Sequence, residues 1–122
     1  MRTTKEKGKR EMTKLALMIT PEGKVSELDI STDELKKLQE AVDGWIEPVS
    51  FVGFTMWVNE EGLLRDDLVP NAVAFGMYPT PIMGNIVFTG ETDDEGETLP
   101  LSEAHAKTLR RIAKNCRTLL SA

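Results

Sequence analysis

The 122-residue sequence contains one cysteine, one histidine and one tyrosine. A single cysteine excludes an intrachain disulfide and fits a reducing compartment. With only one histidine beside it, a zinc site of the usual composition is excluded within one chain. No apolar run approaches the roughly 18 residues needed to span a bilayer. The first residues are charged and lack the apolar h-region of a signal peptide, so a cytoplasmic protein with no membrane contact is expected. There is no Walker loop, no GxGxxG and no GxSxG nucleophile elbow. Catalytic residues, metals and cofactors are therefore assigned to no position, and an enzyme is not expected. Internal repeats are also missing.

What is present points to a folded core. Hydrophobic residues make up 40% of the chain, enough to bury a core without disulfide or metal staples. Four of the seven aromatics, Trp45, Phe51, Phe54 and Trp57, fall within thirteen residues. That stretch reads as two strands, Trp45 to Val52 and Phe54 to Asn59, broken at Gly53. Pro48 makes the first an edge strand or bends it. Upstream, Lys14 to Thr20 is an apolar run expected to be buried on both faces. The turn Thr20-Pro21-Glu22-Gly23 joins it to a second strand, Lys24 to Ile30.

A helix follows, with Ser31 as the expected N-cap and Glu34 completing a capping box. Leu35, Leu38 and Val42 share its apolar face, and Gly44 ends it. Leu63 and Leu64 are read as a resumed strand. Residues 66–81 contain three prolines and read as irregular, with Val73, Phe75 and Met77 alternating toward the sheet. The segment between Gly84 and Gly90 is a strand. After an acidic loop, Ser102 caps a last helix to about Leu120. His105, Leu109, Ile112, Cys116, Leu119 and Leu120 fall on its apolar side. The expected architecture is α+β: a mainly antiparallel sheet of four or five strands with two helices packed against it. Residues 1–13 are expected to be a flexible basic tail, and residues 14–122 a single domain.

Charge is strongly segregated. Residues 1–14 carry six Lys/Arg and two Glu, residues 15–102 carry four Lys/Arg and seventeen Asp/Glu, and residues 103–122 carry five Lys/Arg and one Glu. An acidic middle repels nucleic acid and favours basic partners, unless the ends merely neutralise it. On the last helix, Lys107, Arg110, Arg111, Lys114 and Arg117 form one stripe, a candidate surface for nucleic acid or a protein partner. No aromatic interleaves them, so they offer no stacking platform for bases. His105 and Cys116 are read as packed side chains, about 16 Å apart along the helix at its 1.5 Å rise. Asp93-Asp94-Glu95-Gly96-Glu97 lacks the ligand spacing of a calcium loop and reads as a solvated turn. Trp45, Trp57 and Asn71 are the candidate lining of a small-molecule pocket.

The run from Leu38 to Glu47, with Val42-Asp43-Gly44-Trp45-Ile46 at its centre, and the run Trp57-Val58-Asn59-Glu60-Glu61-Gly62 together resemble the Domain of Unknown Function 3846 family. The Thr20–Gly23 turn, Pro70-Asn71-Ala72 and the Gly84–Gly90 strand extend the resemblance, which covers residues 14 to about 97. Its members are small proteins of bacteriophages, plasmids and actinobacterial or firmicute genomes. The resemblance implies a mobile-element origin and supplies no catalytic residue. The leading expectation is a non-enzymatic accessory protein that binds a host or phage protein, by counter-defence or host-factor sequestration. A nucleic-acid-binding protein using the basic helix and N-terminal arm is the second reading, and a small-molecule binder the third.

Overall fold

The computed structural model describes residues 13–121, so the expected tail lies outside the described residues except for Thr13. Five strands form one sheet in the order β2-β1-β5-β4-β3, antiparallel throughout. They are β1 (Leu15–Ile19), β2 (Val25–Asp29), β3 (Ile46–Phe51), β4 (Phe54–Asn59) and β5 (Ile86–Thr89). Two helices, α1 (Glu34–Val42) and α2 (Glu103–Leu120), complete an α+β arrangement. β5 enters between the two hairpins, and all four of its residues, Ile86-Val87-Phe88-Thr89, are buried. Pro48 lies on β3 opposite Trp57, at an edge where a missing N–H costs no ladder bond.

The pleat sorts side chains onto two faces. Leu17, Ile19, Met56, Val58, Ile86 and Phe88 face one core, closed by Leu101, Ala106, Leu109 and Ala113 from α2 and its entry. Ala16 and Val87 face the other, closed by Ile30 and by Leu38 and Val42 of α1. Gly23 lets the hairpin turn come close to the α2 backbone: a Cβ there would lie 2.8 Å from the carbonyl oxygen of Ala113. Gly23 also holds φ +92°, which an L side chain rarely adopts.

Several local expectations are corrected. Ser31 does not cap α1. The Asp29 carboxylate accepts from the Lys14 and Ser31 N–H groups at 3.1 and 3.0 Å, so the chain makes a turn first. The helix then starts at Glu34, after Asp33 in the left-handed region with no side-chain cap. That offset leaves Leu35 58% exposed, while Leu38 and Val42 are buried. The left-handed residue at the helix end is Asp43, not Gly44, although the Gly44 N–H does donate to Gln39 O. Leu63 and Leu64 lie in an exposed 3-10 turn, Gly62–Leu64, not a strand. A second 3-10 turn, Ala74–Gly76, breaks the expected alternation, burying Val73 and Ala74 and exposing Phe75. Leu119 and Leu120 are exposed, and the buried seam of α2 is Ala106, Leu109 and Ala113.

Candidate functional site

The family-like motifs resolve first into structural parts. The Asn59 amide donates to the carbonyls of Val42 (3.0 Å) and Asp43 (3.2 Å), and its oxygen accepts from the Glu61 N–H (2.8 Å). One side chain thus satisfies the open end of α1 and starts the Glu60-Glu61-Gly62 turn. Arg65 adds bonds to Asp43 and Asp67, which raise its pKa, Asp67 contributing most; the Asp67 carboxyl is held below the usual range. Asn71 is 1% exposed. It donates to Ile19 O and Gly84 O and accepts from the N–H groups of Val73 and Ala74, tying the irregular segment to the sheet.

The three candidate pocket residues are therefore not brought together. Asn71 is consumed inside the fold. Trp45 is largely exposed and lines a small hollow with Gln39 and Gly44. Trp57 lines a different concavity of about 350 Å³ with Pro48, Ser50 and Thr55, and its indole N–H donates to Thr89 Oγ1 at 2.9 Å. His105 sits at the start of α2. Its ring packs 5.0 Å from that of Phe54, its Nδ1 lies 3.0 Å from Ser102 Oγ, and its N–H donates to that same capping oxygen. Cys116 is half-buried against the α2 core. In the acidic loop, Asp93 Oδ1 accepts from the N–H groups of Glu95 and Glu97 (2.9 Å each), so this carboxylate organises the turn. Among the described residues, no three of His, Cys, Asp or Glu are grouped to hold a metal ion.

The basic stripe fares differently, because the fold lays it beside the free edge of β2. Arg110, Lys114 and Arg117 join Lys24 and Val25 around a concavity of about 530 Å³. Lys107 and Arg110 line an adjoining one of about 640 Å³ with Leu15 and Glu27. Arg110 is shared, so the two form one groove between β2 and α2. Arg111 lines neither concavity and is exposed. Two of the cations are already engaged: Arg110 pairs with Glu27 at 2.7 Å, and Arg117 donates to the carbonyl of Gly23. The Glu27–Arg110 pair is exposed on both sides (67% and 44%), so it is worth little in water and yields readily to a competing anion.

Lys24, Val25 and Glu27 escaped sequence reasoning as site residues. Glu27 lies 83 positions from its partner Arg110, and Gly23 beside Lys24 lies 94 from Arg117, so only the docking of the hairpin turn against α2 joins them. The one available signal was Gly23, whose need for a close approach is legible only once the helix is in place. Beyond the groove, Lys14 Nζ donates to Glu97 at 2.6 Å, which raises the lysine pKa and anchors the acidic loop to the start of β1.

No helix of the described residues is long and apolar enough to cross a membrane. No curated protein and no solved structure matches the chain. A domain of unknown function (DUF3846) matches residues 12–114, which takes in every strand, all of α1 and most of α2, and the chain belongs to that family.

Proposed function

We propose that this is a non-catalytic binding protein of phage or mobile-element origin, which holds a host or phage protein by an anionic surface in the β2–α2 groove. The observation that carries this reading is the convergence of Lys24, Arg110, Lys114 and Arg117 around one concavity of a chain whose net charge is −5. Like charges repel, so gathering four cations in one hollow raises the free energy of the unliganded surface, and a bound anion relieves it. The family resemblance supports the mobile-element origin, and the single cysteine supports action in the cytoplasm of a host cell. Sequestering a host factor or blunting a defence system is the role that suits such a protein.

Nucleic acid is the second reading, favoured by the same cations. It is weakened by the missing aromatic platform along the basic stripe. The test is affinity capture from nuclease-treated host lysate, comparing the wild type with Arg110→Glu/Lys114→Glu. A protein partner retained by the wild type and lost from the folded variant is expected. Equal capture by both would refute the groove as the binding surface.

A further inference from the structure

The wall of this groove is itself an unpaired strand edge. In the β1–β2 hairpin, Ile30 N–H donates to Lys14 O and Thr20 N–H donates to Lys24 O. With the register Leu15↔Asp29 to Ile19↔Val25, antiparallel alternation turns the backbone groups of Val25, Glu27 and Asp29 away from β1. Asp29 O accepts from Lys37 Nζ at 2.8 Å. The remaining outward groups, N–H and C=O of Val25 and Glu27 and N–H of Asp29, have no bonded partner among the described residues. β2 lies at one end of the sheet order.

The geometry points to strand addition: an extended acidic peptide pairs with β2 and places alternate carboxylates against the basic flank of α2. This rests on the reading above and names the chemistry of its partner. Glu27 lies opposite Leu17, which faces the α2 core, so β2 side chains at 25, 27 and 29 point to the α2 side. A residue paired beside them projects the same way. Same-face side chains on a strand repeat at about 6.8 Å. Arg110 and Lys114 are four residues apart on α2, about 6 Å along its axis. The repeats match closely enough for carboxylates at i and i+2 to meet successive cations. Glu27 on Arg110 shows the contact that the peptide's own carboxylate would make. A nucleic-acid strand uses none of the outward backbone donors in register and finds no base-stacking ring here.

The experiment is fluorescence anisotropy with a labelled peptide of alternating glutamate and threonine. Its comparators are the alternating lysine–threonine peptide, the glutamate peptide N-methylated at its glutamates, and a labelled single-stranded oligonucleotide. The glutamate peptide is expected to bind, the lysine peptide not. N-methylation and Glu27→Pro are each expected to weaken binding by about tenfold or more, because the first removes the peptide's donors and the second a donor of the β2 edge. Glu27→Ala keeps its N–H and removes a competing carboxylate, so it should bind as well as the wild type or better. Arg110→Glu/Lys114→Glu should lose about tenfold or more. If circular dichroism shows that Glu27→Pro is unfolded, the N-methylated peptide decides. No peptide binding, or binding indifferent to N-methylation, overturns strand addition. Binding of the oligonucleotide but not the peptide also overturns it, while leaving the groove as an anion-binding surface intact.

Discussion

Asn71→Ala should be among the most damaging single changes in this chain, and its cost can be worked from the bonds. The side chain is 1% exposed and serves four buried backbone groups: Ile19 O at 3.1 Å, Gly84 O at 2.9 Å, Val73 N at 3.0 Å and Ala74 N at 3.3 Å. Ile19 O and Gly84 O each retain another lone pair, so their loss is partial. Among the described residues the two N–H groups have no second acceptor, so they bear most of the penalty. An unsatisfied buried group costs about 1–3 kcal/mol, which gives roughly 2–5 kcal/mol here after some relaxation. With a urea m-value of about 1.5 kcal/mol/M, the midpoint falls by roughly 1.3–3.3 M. Asn71→Asp should be comparably damaging at neutral pH, since it sets a carboxylate against two carbonyls. Its deficit should shrink as the medium is acidified enough to protonate the buried carboxyl. The assay is urea unfolding followed by tryptophan fluorescence, with peptide binding measured in parallel below the midpoint. A variant that keeps its urea midpoint but loses ligand binding would refute the structural role and restore Asn71 to a binding site.

Four further outcomes are expected. Leu38→Ala should cost about 2–5 kcal/mol, whereas Leu35→Ala, at an exposed position, should stay within about 0.5 kcal/mol; thermal denaturation separates them. Ser102→Ala should destabilise by about 1 kcal/mol through the lost N-cap, while Ser31→Ala should have a smaller effect, because α1 starts beyond it. The Asp29 carboxyl has a lowered pKa, chiefly from the Lys14 N–H, so its stabilisation is full above the unfolded value of about 3.9 and is lost as pH falls through the folded value. Asp29→Asn should therefore flatten the acid limb of a stability–pH curve, and an unchanged limb would contradict the assignment. Gly23→Ala should both destabilise the fold and weaken binding in the groove, because its Cβ would press on the α2 backbone at Ala113.

The parts legible in the sequence were those set by local pattern. The Pro21/Gly23 turn, the glycine-bounded strand β5 and the Ser102 cap each carry their own signal and form as read. The start of α1 was misread because Ser31 and Glu34 fit a capping box, while the competing acceptor, Asp29, takes the Ser31 N–H first. The segment from Gly62 to Met83 was opaque because its folding depends on the buried Asn71 amide, a polar residue in a polar-looking stretch. Its alternating Val73, Phe75 and Met77 imitated a strand that the Ala74–Gly76 turn replaces. On α2 the large apolar residues drew the eye, yet two of the three buried positions are alanines. The basic stripe was visible at helical spacing. That Arg110, Lys114 and Arg117 overhang a strand edge and Arg111 does not depends on the docking of β2, which no local pattern reports.

The most direct test of the β2–α2 groove as the binding surface is amide chemical-shift mapping on isotope-labelled protein titrated with the alternating glutamate–threonine peptide. The account predicts saturable shifts at Lys24, Val25, Glu27 and Asp29 and along Lys107 to Arg117, with slowed exchange of the outward Val25 and Glu27 amides. Shifts centred instead on the indole N–H groups of Trp45 or Trp57, with β2 unmoved, would contradict it.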